Sequence, residues 1–171
     1  MSVTINGSAG VTTNSGAVYN GISVGTAVPY TSATNGGTTI DVSGIPSWVK
    51  RITVLFTGIS HNVSASSGGL IIQLGTGVGP TFTNSGYTSY VMSSGGATVV
   101  GTTRTNGFGI GNDLAPANLY SGAFVLINST GTTWIGNGML GGDSATSGGI
   151  HGAGSLPSLG AVPTAIRVTT S

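Results

Sequence analysis

The chain has 171 residues, of which only 4 are Lys or Arg and 3 are Asp or Glu, for a formal net charge of +1. Charged residues make up 4% of it and 32 residues are glycine, whereas soluble domains average about 25% charged residues and about 7% glycine. A helical bundle needs Lys and Glu on its wet faces and a nucleic-acid binder needs a basic stripe, so both are excluded, and zero cysteines exclude a disulfide scaffold and Cys-based zinc.

Residues 1–37 read as short β-like pieces broken by turn signals. Val3-Thr4-Ile5 runs into Asn6-Gly7, and Val11-Thr12-Thr13 into Asn14-Ser15-Gly16; Asn-Gly is the strongest short turn signal there is. None of these pieces is long or apolar enough to close a core, so an extended arm is expected, ending in the linker Thr31–Gly37. The first residues lack a basic start and an apolar stretch, so no secretory signal is expected. Apolar runs such as Ala123–Ile127 fall far short of the ~18 residues that span a membrane, so no membrane insertion is expected.

Residues 38–171 carry longer alternating runs and are expected to fold as one head domain. Thr39–Ser43 places Ile40 and Val42 on one face, and Lys50–Thr57 places Ile52, Val54 and Phe56 inward. Leu55 breaks the outward polarity of that second strand, as it would if its outer face were also covered. Leu70–Leu74 is almost wholly apolar, which fits a strand buried on both sides. Weaker strands are expected at Gly86–Met92 and Ala97–Gly101. Leu119–Asn128 and Thr132–Leu140 flank Ser129-Thr130-Gly131 and predict a hairpin, and Ala165–Thr170 closes the domain. Trp48, between Pro46 and a core strand, and Trp134, within the hairpin, are expected to pack in the core or an interface. Nothing reads as a helix, so the fold class is all-β: an antiparallel, jelly-roll-like β-sandwich behind a short extended arm.

Two stretches without a strand pattern, Thr102–Ala117 and Gly141–Ser158, are expected to be long loops, where binding surfaces concentrate. They carry Arg104, Phe108 and Asp113, and Asp143 and His151. Tyr87 and Tyr90, at a strand start, offer rings that either pack or stack on a sugar. These seven are the candidate ligand contacts.

Catalytic signatures do not hold. Gly21-Ile22-Ser23-Val24-Gly25 has the form of a nucleophile elbow, but Pro29 follows and no helix does. Gly136-Asn137-Gly138-Met139-Leu140-Gly141 has the form of a dinucleotide fingerprint, yet lies at the end of a hairpin strand with no helix N-terminus to hold a pyrophosphate. Asp41, Asp113, Asp143, His61 and His151 are scattered, without the spacing of an acid–base pair or a metal site. No enzyme, cofactor or metal is expected.

The segment Thr39-Ile40-Asp41-Val42-Ser43-Gly44-Ile45-Pro46-Ser47-Trp48-Val49-Lys50-Arg51-Ile52-Thr53-Val54-Leu55-Phe56-Thr57-Gly58-Ile59-Ser60 resembles a module at the C-terminal ends of tailed-bacteriophage and prophage tail-fibre proteins. The resemblance continues through Ile71-Ile72-Gln73-Leu74-Gly75, Gly86-Tyr87, Tyr120-Ser121-Gly122 and the hairpin ending near Trp134. Thr4-Ile5-Asn6-Gly7-Ser8-Ala9-Gly10-Val11-Thr12 is similar to fibre-shaft repeats. It implies a homotrimeric virion tip, assembled in the bacterial cytoplasm, that recognises a polysaccharide or protein on the host surface. Residues 1–37 would then serve trimerisation or docking to another virion protein. The alternative is a non-adhesive decoration, baseplate or head-fibre component that stabilises the particle.

Overall fold

Strands form where β-branched residues alternate with small polar ones, and among the described residues every regular element is a strand. The computed structural model describes residues 3–6, 10–13, 39–60, 69–95, 98–111, 118–143 and 148–171. The chain divides into two units, Met1–Ala33 and Thr34–Ser171. In the first, β1 (Val3–Asn6) pairs antiparallel with β2 (Gly10–Thr13), Val3 opposite Thr13.

The second unit contains β3 (Thr39–Ser43), β4 (Arg51–Ile59), β5 (Leu70–Thr76), β6 (Thr81–Phe82), β7 (Thr88–Gly95), β8 (Thr98–Arg104), β9 (Phe108–Gly109), β10 (Tyr120–Thr130), β11 (Thr133–Gly142), β12 (Gly149–Leu156) and β13 (Ala165–Thr170). They make two antiparallel sheets: a six-stranded one in the order β4-β10-β11-β12-β7-β8, and a second in the order β3-β13-β5-β6 with β9 also on β5. The architecture is therefore the antiparallel β-sandwich that the strand pattern predicts. Between the sheets lie Phe56, Val91, Phe124, Leu126, Trp134, Leu140, Ile150 and Leu156 from the first, and Leu70, Ile72, Leu74, Ile166 and Val168 from the second. Trp134 is in this core, as expected. Leu70–Gly75 is buried on both faces, as its composition predicts; Gln73 Nε2 donates to the Asn106 carbonyl at 2.9 Å, so the segment before β9 covers the outer side.

Both expected long loops are partly strand. Gly149–Leu156 lies inside Gly141–Ser158 and is an inner strand, with β11 on one side and β7 on the other. Thr102–Ala117 begins with the end of β8 and contains β9, paired with Ile71 and Ile72. The strand pattern is hidden there by glycine, which has low strand propensity but allows close backbone approach. A Cβ on Gly152 would collide with the carbonyl oxygen of Gly109. Gly152 is what lets β9 lie against β12.

Strand direction divides the sandwich into two ends. Thr39 opens β3 opposite Thr169, and Leu70 opens β5 opposite Thr170. Ser171 Oγ accepts from the Gly69 amide at 3.1 Å. Chain entry into the head and the C-terminus therefore share one end. The β3–β4, β5–β6 and β10–β11 turns and residues 157–164 lie at the other.

Tyr87 shows how a polar group enters the core. It is 2% exposed, its ring meets Phe108 edge-on with centroids 5.2 Å apart, and its hydroxyl oxygen accepts the Leu74 amide at 2.9 Å. Burial pushes its pKa up to about 12, with the Leu74 hydrogen bond opposing the shift. Since the folded pKa lies above the unfolded value of 10.0, the protonated form is favoured in the fold. Its stabilisation is complete below pH 10 and lost as pH rises towards 12, by up to roughly 3 kcal/mol. Alkaline unfolding followed by tyrosinate absorbance is expected to show this loss. Tyr87→Phe should remove that pH dependence while costing about 1–3 kcal/mol at neutral pH, because the Leu74 N–H loses its acceptor.

Candidate binding site

The seven candidate contacts do not converge on one site. Tyr87 and Phe108 are core residues and present no face to a ligand. Their burial follows from β9, which the sequence pattern concealed. Arg104 ends β8 opposite Ser89 and is half-buried. A Cβ on Gly109 would stand 3.2 Å from its Cγ and one on Gly69 2.7 Å from its Nη2, so its side chain runs along glycine backbone. Asp143 Oδ1 accepts from the Leu119 amide at 3.0 Å while its own amide donates to the Leu119 carbonyl at 3.0 Å. That pair of bonds clamps the start of β10 to the end of β11. Asp113 and His61 lie outside the described residues.

Tyr90 and His151 are exposed, and both point outward from the six-stranded sheet. Tyr90 reaches across β8, since a Cβ on Gly101 would collide with its phenol oxygen. His151 is not a loop residue; it lies in β12 with Met139 of β11 and Met92 of β7 as cross-strand partners. Among the described residues no group of three or more His, Cys, Asp or Glu comes together. Asp41 and Arg167 form an ion pair, Nε to Oδ1 at 2.7 Å and Nη2 to Oδ2 at 2.8 Å, with the guanidinium 4.0 Å from the Phe82 ring centre. The Asp41 hydrogen bond raises the Arg167 pKa further above its ordinary value.

Of the two placements expected for Trp48, core or interface, the core is excluded, since the residue is 64% exposed. The chain turns at Ser47 and Trp48, the Val49 amide donating to the Pro46 carbonyl at 3.0 Å, and this turn lifts the indole off the sandwich. The available signal was the Pro46-Ser47 pair before it and Lys50-Arg51 after it, which is turn chemistry rather than strand alternation.

The turn is braced by its neighbours. The Ile45 amide donates to the Thr164 carbonyl at 2.9 Å, the Thr164 amide to the Gly75 carbonyl at 2.8 Å, and Thr164 Oγ1 to the Gly77 carbonyl at 2.7 Å. Thr164 thus ties together the β3–β4 turn, the β5–β6 turn and the 157–164 segment, each of which carries an exposed apolar residue: Trp48, Val78 and Val162. Beside them, Lys50 Nζ donates to Asn128 Oδ1 at 3.0 Å, and Asn128 Nδ2 donates to the Gly131 and Thr133 carbonyls at 2.9 and 3.0 Å. This end can stack a ring on indole and exchange hydrogen bonds through amides, hydroxyls and one ammonium group. No protein-family model, no curated protein and no solved structure matches the chain.

Proposed function

We propose that the protein is a virion fibre or tip component that recognises the host-cell surface, as a homotrimer, through glycan contacts at the Trp48 end of the head. The reading rests on the tail-fibre resemblance of residues 39–60 and, in the structure, on one observation. A large aromatic side chain stands exposed on a turn held by backbone hydrogen bonds, at the end of the sandwich away from chain entry. An indole held this way stacks on the apolar face of a sugar with little ordering cost, and three copies convert weak single contacts into useful avidity. Residues 1–37 serve attachment to the particle and to the other copies, and recognition proceeds without bond cleavage.

The test uses labelled full-length protein on a panel of bacterial surface polysaccharides and on the corresponding cells. Trp48→Ala is expected to lower binding by tenfold or more while changing stability by less than about 0.5 kcal/mol, since the side chain is mostly exposed. Wild-type-like binding by the variant would remove Trp48 from the site. Particles that lack the protein and fall apart, yet still adsorb when intact, would favour the decoration role instead.

A further inference from the structure

The outward face of the six-stranded sheet is set by register. One row runs across the whole sheet as Leu55, Ala123, Met139, His151, Met92 and Gly101. The next runs Thr53, Val125, Asn137, Ala153, Tyr90 and Thr103, and a third Arg51, Ile127, Ile135, Ser155 and Thr88. Leu55 is 75% exposed and Met139 58%; Tyr90, Met92, Ile127, Ile135 and Val99 are exposed as well. Arg51 and His151 are the only Lys, Arg, His, Asp or Glu in these rows.

An exposed sheet face ordinarily alternates apolar-in with polar-out. Here nine of the 17 residues in the three outward rows are apolar, among them Leu55, Met139 and Met92 in one row, although the chain has Thr, Ser and Asn in abundance for a wet face. Monomers rarely leave contiguous apolar patches above a few hundred Å² uncovered. Strands of 7 to 11 residues make this face. With strands ~4.8 Å apart and ~3.4 Å per residue, six strands present roughly 900 Å². Around a three-fold axis that face is shared between two neighbouring copies, roughly 450 Å² to each, so the two contacts together reach the ~800 Å² that a stable interface takes from each partner.

We infer that this face is the contact between copies of the chain, which associate with their six-stranded sheets turned toward one another about a common axis. A second copy is the partner the chemistry fits. A face with no carboxylate and two basic groups offers an unlike partner almost no charge to read, whereas around a three-fold axis the two halves of the face meet the halves of two neighbouring copies, apolar residues against apolar residues. The inference rests on the homotrimer reading and specifies the surface it uses. Met139, on the third of the six strands, would be the central anchor, because a long side chain in the middle of the face loses the most water on docking, and Leu55 would carry the contact out to the edge strand β4.

Full-length protein carrying Leu55→Glu or Met139→Glu is compared with wild type by light scattering, with Ser85→Glu, an exposed position off the face, as control. Both face variants are expected to remain folded by circular dichroism and to need at least tenfold higher concentration to associate. The control should associate as wild type does. The absence of native cysteine permits a second measurement that does not depend on disruption. His151→Cys should give covalent multimers with a short bismaleimide, and Ser85→Cys should not. Face variants that keep the wild-type mass, with no cross-linking at position 151, would overturn this surface while leaving the homotrimer intact. A monomeric wild type at tens of micromolar would overturn both.

Discussion

Gly152→Ala is expected to destabilise the head by about 3 kcal/mol or more, because its Cβ has nowhere to go. That atom would collide with the Gly109 carbonyl oxygen and stand 3.1 Å from the Gly109 carbonyl carbon and 3.3 Å from Phe124 Cε2. Two of these three neighbours are backbone atoms of β9, which is itself paired to β5. Relief therefore requires moving a short strand shared between the two sheets rather than turning a side chain. For a chain of this size the loss is expected to appear as a fall of about 6–12 °C in melting temperature by calorimetry. Gly141→Ala is the matched control: nothing lies within 4 Å of its Cβ and it has no positive φ. It should be neutral or stabilising by up to about 1 kcal/mol, through the entropy of the unfolded chain. Equal losses at both positions would contradict the close approach of β9 and β12.

Phe124→Ala should lie at the upper end of the 3–5 kcal/mol typical of buried aromatic truncations. The ring is fully buried and occupies a slot floored by glycine: a Cβ on Gly138 would stand 2.6 Å from Phe124 Cδ2 and one on Gly136 2.7 Å from Cε1. Phe108 closes the slot, ring centroids 6.2 Å apart. Glycine walls have no side chain to collapse into the space the ring vacates, so the cavity persists and its full cost is felt. Phe124→Leu, which refills much of the volume, should recover more than half of the loss in chemical denaturation. A small loss for Phe124→Ala, below about 1.5 kcal/mol, would mean that the slot closes on itself.

These two positions explain what was and was not legible in the sequence. Where β-branched and aromatic residues carried the pattern, alternation located Arg51–Ile59 and the β10–β11 hairpin, and an unbroken apolar run located Leu70–Thr76. Where glycine replaced the inward side chain, as in Gly149–Leu156, alternation vanished although the strand is central. Gly136 and Gly138 have the spacing of a nucleotide fingerprint, and their structural use is to clear room for Phe124. The candidate site was less legible still. Nothing local separates Tyr87 and Phe108 from exposed stacking residues; the pairing of β9 with β5 sends Phe108 inward, and Tyr87 packs on its ring with the hydroxyl on the Leu74 amide. Trp48 precedes a core strand, which is why packing in the core or an interface was expected of it. The turn is closed locally, by the Val49 amide on the Pro46 carbonyl, and its brace, the Ile45 amide on the Thr164 carbonyl, comes from a residue distant in sequence that no local pattern shows.

The scarcity of charge takes a specific form in the fold. Asp41 and Arg167 bind each other across β3 and β13, and the outward rows of the large sheet hold no carboxylate. Association driven by such a surface depends on apolar burial and should change little between low and physiological salt.

The homotrimer is tested most directly by the mass of the full-length chain in solution, by light scattering at micromolar concentration. The expected particle has three times the 16.6 kDa chain mass and keeps it across that range of salt. A single species at the mass of one chain would contradict the homotrimer.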